Sequence, residues 1–135
     1  MKRLLSTNYT DWTFNAALFV LRISAALMIL PHGYDKLIHF ADKKHTFMNF
    51  MGLGSTLSLS LITFAEFFCA IFVIIGLFTR FTVLPLVIAM GVALFKAHEG
   101  AIFGGGEKAA LYFGIFFCIL LVGPGKASVD GMMGK

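Results

Sequence analysis

Glu66 lies inside an apolar run over 57–78, and Arg22 lies inside another over 14–30. Each run is long enough to cross a bilayer, where a side-chain charge costs about 3 kcal/mol on insertion scales. Chains keep such residues where they pair, line a wet cavity or carry protons. Facing each other between two helices, the guanidinium and the carboxylate have two uses. They can fix helix register as a buried ion pair, or seat a polar head group and tune a proton site. On antiparallel helices Arg22 and Glu66 differ in depth by several ångström, a gap that an extended guanidinium can bridge.

A second polar group gathers at the end of the chain's bundle opposite the termini: His32, Lys36, His98, Glu99 and Glu107. His32 and Lys36 are four residues apart and so share a helix face. Glu107 opens an apolar run, where a carboxylate gains from the helix N-terminus. Two readings stand for this group. Its members either anchor span ends at the interface, or converge on a pocket for a small polar or quinone-like molecule. Two histidines with two carboxylates could also hold iron or zinc. However, no cysteine pair or His-x-x-x-His spacing supports this, so no metal is expected. The run Gly104-Gly105-Gly106-Glu107 lacks the pattern of a phosphate loop. With no CxxC, haem-attachment motif or dinucleotide fingerprint, any redox activity requires a bound cofactor or a partner protein.

The elements that must position these residues follow from composition. Of 135 residues, 59% are hydrophobic and 13% charged, against roughly 25% charged in a soluble domain. Mean hydropathy is +0.87. Lipid is therefore the expected solvent, and the length suits one domain, 1–135, with four spans of about 20 residues. The expected fold is all-α, an integral membrane four-helix transmembrane bundle with spans at about 14–37, 56–78, 81–97 and 108–122. Pro31 falls late in the first span and predicts a kink or a tightened turn there. Phe47, Met48, Phe50 and Met51 suit a short interfacial stretch. Thr79 and Arg80 leave almost no loop between the second and third spans, and Gly123-Pro124-Gly125 stops the fourth.

On the first span, Arg22, Ala26, Ile29, Gly33 and Lys36 fall on one stripe, with His32 at its edge. On the second, Glu66 shares a stripe with Cys69, Ala70 and Val73, adjoined by Ala65. Small neighbours let another helix approach closely. The net charge of +4 is scattered over span ends rather than clustered, which fits snorkelling and contact with anionic lipid, and no nucleic-acid partner is expected. The lysines and arginines divide evenly between the two ends, so they set no orientation. No cleavable signal is expected, and the first span reads as retained.

Three sets of segments together resemble the DoxX family of small bacterial inner-membrane proteins. The first is Leu21-Arg22, then Pro31-His32-Gly33 and Lys36-Leu37. The second is Glu66 leading into Gly76-Leu77-Phe78-Thr79-Arg80. The third is His98, Gly104-Gly105-Gly106-Glu107, Gly123-Pro124-Gly125 and Asp130. The resemblance runs over about 14–130. It departs at Phe67-Phe68-Cys69-Ala70, where a glycine pair usually follows the glutamate, and in a short tail. It implies a multi-pass four-helix bundle in the bacterial inner membrane with both termini cytoplasmic. It also implies a loose association with redox chemistry, since relatives occur as the membrane subunit of thiosulfate:quinone oxidoreductases and in a mycobacterial membrane complex with detoxifying enzymes. The functional positions it implies are Arg22, His32, Lys36, Glu66, His98 and Glu107.

The expected function is that of an accessory subunit of a quinone-linked membrane oxidoreductase. Its polar interior would meet a quinone or a small sulfur compound, and its partners would be lipid, redox proteins and a second copy of the chain. The alternatives are a small proton-coupled transporter, which would need a dimer to enclose a path, and a non-catalytic membrane scaffold.

Overall fold

The computed structural model describes residues 2, 4–45, 52, 54–97 and 104–134. Among these the chain is all-helical, with four long helices over the four apolar runs. Helix α1 spans Asp11–Ile38. Helix α2 spans Ser55–Ile75. Helix α3 spans Thr79–Val92 and continues into a π-helical turn, Ala93–Ala97. Helix α4 spans Glu107–Val122. One-turn helices at Phe40–Lys43 and Val129–Met132 follow α1 and α4. The expected interfacial stretch, Phe47 to Met51, lies outside the described residues.

Thr10 starts α1 with a capping box. Its hydroxyl accepts from Thr13 N at 3.2 Å, and the Thr13 hydroxyl accepts from Thr10 N at 3.1 Å, satisfying two N–H groups the helix leaves unpaired. The helix then runs through Pro31 to Ile38. Helices α1 and α2 are each long and apolar enough to cross a membrane, at 28 and 21 residues, while α3 and α4 are shorter.

A Schellman close ends α2. Gly76 takes φ +74, its N–H reaches Val73 O at 3.1 Å, and Leu77 N–H reaches Phe72 O at 3.0 Å. Phe78 then adopts φ +47, the one non-glycine residue at positive φ among those described. Two left-handed residues in three positions reverse the chain and make α2 and α3 a tight hairpin.

Small and branched side chains fill the interior, among them Ala26, Ile29, Ala70, Val73, Leu86 and Phe116, all with at most 1% exposure. The opposite faces carry exposed large apolar residues on every long helix, such as Leu27, Phe64, Ile88 and Leu121. A belt of that extent is the surface of a protein that meets lipid.

A close helix crossing lies where α1 meets a π-helical segment inside α2, Phe64–Cys69. A Cβ on Gly33 would lie 2.5 Å from the Glu66 carbonyl carbon and 2.6 Å from Phe67 N. Backbone therefore rests on backbone, and only glycine fits. Gly33→Ala is expected to lower the thermal aggregation midpoint in detergent, with about 1–3 kcal/mol lost to overpacking. Gly114→Ala, whose added methyl would meet nothing within 4 Å, should hold or raise the midpoint, since alanine favours a helix interior.

Candidate functional site

The Gly33 crossing sets the depth of the first polar centre. One turn along α1, Lys36 Nζ reaches Glu66 Oε2 at 2.7 Å, with side-chain exposures of 20% and 6%. The π turn faces Ala65, Glu66 and Cys69 inward together. Such turns widen a helix locally and often mark functional positions. Thr63, three residues before Glu66, has a buried hydroxyl with no hydrogen-bond partner among the described residues. From α4, the half-buried Tyr112 lies within electrostatic reach of the Glu66 carboxylate.

Beside this centre a groove of about 420 Å³ runs between α1 and α4. Ser24, His32, Lys108 and Tyr112 supply its polar lining, and Met28 and Leu111 belong to its apolar lining. On α1, Ser24, Met28 and His32 repeat every four residues. On α4, Lys108, Leu111, Tyr112 and Ile115 follow the i, i+3, i+4, i+7 pattern of one helix face. That second pattern is readable in the sequence and would have identified Lys108 and Tyr112, which the reading by charge and span ends missed.

Arg22 belongs to a different centre. The expected Arg22–Glu66 pair does not form, because α1 and α2 are staggered. Gly33 lies opposite Glu66, and Arg22 lies eleven residues earlier on α1, about 16 Å away at 1.5 Å per residue. Counting depth from the helix ends fails because α2 starts eleven residues before Glu66, whereas α1 ends five residues after Gly33. Lys36 takes the place assigned to Arg22.

Arg22 instead holds the C-terminal tail. With 2% exposure, it donates through Nη1 to Pro124 O at 2.7 Å and through Nη2 to Ala127 O at 2.9 Å and Ile74 O at 3.4 Å. Its guanidinium carbon sits 5.4 Å from the Phe19 ring centroid, a cation–π distance. Asp130 supplies the nearby opposite charge. Its carboxylate accepts from Phe78 N and Thr79 N, both at 2.8 Å, and its own N–H donates to Gly76 O at 2.9 Å. A carboxylate here caps the N-terminus of α3 and is favoured by the helix dipole. A signal for this existed: a helix opening at Phe78-Thr79 has no side-chain cap of its own, so an acceptor must come from elsewhere.

Of the six expected positions, then, Lys36 and Glu66 meet, and His32 lines the adjoining groove. Arg22 lies at the opposite end. Glu107 is the exposed first residue of α4 and is not among the groove's lining residues. His98 lies outside the described residues. Among those described, no three His, Cys, Asp or Glu side chains come together as a metal-holding group.

Comparison with curated proteins and with solved structures returned no match. The DoxX family model matches residues 17–99, a stretch that contains Arg22, the Gly33 crossing and the Lys36–Glu66 pair. Covering more than half of a chain with apolar helices and an apolar outer belt, that match makes the protein a member of the DoxX family of membrane proteins.

Proposed function

We propose that this chain is a four-helix integral bundle of a bacterial inner membrane, with cytoplasmic termini, that acts as the ligand-binding accessory subunit of a membrane redox system. Its ligand is a quinone or a small sulfur compound seated in the α1–α4 groove. The observation that carries this reading is a charged pair at 2.7 Å, Lys36–Glu66, within electrostatic reach of Tyr112, which with His32 and Lys108 lines the adjoining groove. Apolar walls with a few convergent polar groups are what a small-molecule site requires.

The residues divide the work. His32 and Tyr112 hydrogen-bond the oxygens of a head group, and Lys108 favours an anionic form of it. Met28 and Leu111 accept the apolar remainder. Glu66, bonded to Lys36, orders the α1–α2 crossing and faces the field of the groove shared with Tyr112. A quinone supplies two-electron, two-proton chemistry when bound. The electrons come from a partner protein, because the sequence carries no motif for an electron carrier of its own.

Protein purified in mild detergent from quinone-replete membranes tests this. Retention of a stoichiometric quinone, lost in Lys108→Ala and His32→Ala variants that elute as the unaltered protein does, is the expected result. Preparations that retain neither quinone nor sulfur compound, and whose His32 and Tyr112 environments stay unchanged when either is added, would remove the proposal.

A further inference from the structure

A second cleft, of about 670 Å³, opens at the end of the bundle that carries the C-terminal tail. Asn15 at the start of α1, Arg80 and Phe81 at the start of α3, Val122 at the end of α4, and Lys126 of the tail all line it. Arg80 and Lys126 are exposed. Arg80 Nη2 donates to the last carbonyls of α4, Leu121 O at 3.3 Å and Val122 O at 3.2 Å. These bonds fix the guanidinium at the mouth while its other N–H groups find no acceptor among the described residues. Gly123 lies against it, where a Cβ would come within 3.5 Å of Nη2. Lys126 is fixed through its backbone, whose N–H donates to Asn15 Oδ1 at 2.8 Å. Its ammonium has no acidic partner among the described residues.

One carboxylate, Asp130, also borders the cleft. Both its oxygens are engaged by the N–H groups of Phe78 and Thr79, and Arg22 offsets its charge from inside. Among the described residues, neither Arg80 nor Lys126 forms an ion pair at this mouth. Next to them, Phe81 is 79% exposed and Phe78 51%. A free anion would use the cations and leave the phenyl faces in water, whereas a phosphate with acyl chains attached uses both.

We infer that this cleft holds the phosphodiester of an anionic phospholipid, with its head group against Arg80 and Lys126 and its first methylenes along Phe81 and Val122. Guanidinium suits phosphate geometry, and basic side chains at an anionic bilayer surface contribute attraction that neutral lipid does not return. The site rests on the bilayer placement proposed above, and its test separates the two.

Trp12 is the single tryptophan and lies three residues before Asn15 on α1, so the two side chains are neighbours. The full chain is reconstituted in phosphatidylcholine bilayers containing a minority of either brominated phosphatidylglycerol or brominated phosphatidylcholine, and quenching of Trp12 is compared. Phosphatidylglycerol should associate roughly fivefold more strongly than phosphatidylcholine. Arg80→Gln and Lys126→Gln should each lower the ratio to about twofold and the double variant should bring it close to one, while Lys2→Gln, at the same end but outside the cleft, should preserve it. Lys126→Gln keeps the backbone bond to Asn15, so its effect does not depend on the α4 end that Arg80 supports. Equal quenching by both lipids overturns the site, as does an equal loss in Lys2→Gln. So does removal of the preference by inorganic phosphate at an ionic strength matched with chloride, which would make the ligand a free anion. Quenching by neither lipid overturns the bilayer placement and the site with it.

Discussion

Lys36→Met should lower the stability of the purified protein by about 3–5 kcal/mol, the usual cost of leaving one partner of a buried ion pair alone. Glu66 is 5% exposed and its backbone packs against α1 at Gly33, so α2 cannot rotate to carry the carboxylate outward without disturbing that crossing. Two double variants give the prediction its sign. Lys36→Met with Glu66→Gln removes the orphaned charge and should recover most of the loss. Lys36→Met with Glu66→Leu should equal or exceed the stability of the unaltered chain, because apolar replacements of similar volume avoid the desolvation of both charges. Denaturation of detergent-solubilised protein, followed by loss of helical signal, measures all three. A Lys36→Met protein as stable as the parent would mean that the pair is solvated and that the α1–α2 crossing rests on packing alone.

The second large effect is expected at Arg22. Hydrogen bonds to a charged donor contribute about 1.5–3 kcal/mol each, and Arg22 makes two short ones, to Pro124 and Ala127. Arg22→Met should thus cost about 3–6 kcal/mol, concentrated in the tail. The measurable consequence is local. Trypsin should cleave after Lys126 much faster in Arg22→Met than in the parent, while the four long helices stay intact. Arg22→Lys should fall between the two, since an ammonium lacks the planar fork that reaches two carbonyls at once. Asp130→Asn should loosen the same segment by weakening the cap on Phe78 and Thr79. A tail equally resistant in all four proteins would show that other contacts hold it.

Which faces turn inward was legible in the sequence, because helical periodicity is local. The stripe Arg22, Ala26, Ile29, Gly33 on α1 is buried, as are Ala65, Glu66, Cys69, Ala70 and Val73 on α2. The partner of each charge was not legible. That depends on the stagger between α1 and α2, which is set by the Gly33 contact and not by where either apolar run begins. The tail clasp was hidden for a different reason. Its bonds join residues more than a hundred positions apart, and the acceptors are main-chain carbonyls, which no side-chain pattern announces. Asp130 carried its signal indirectly, through a helix start at Phe78 that needed an acceptor from outside.

The clasp also constrains how the protein is made. Arg22 leaves the ribosome 102 residues ahead of Pro124 and 105 ahead of Ala127. At about 5–20 residues per second, helix α1 waits several seconds for the carbonyls that accept its guanidinium's hydrogen bonds. During that interval it carries a cation that the lipid interior disfavours. Helix α1 is therefore seated only after residues a hundred positions later have been made, and a nascent chain cut short before Pro124 would present that cation to the membrane's quality-control proteases.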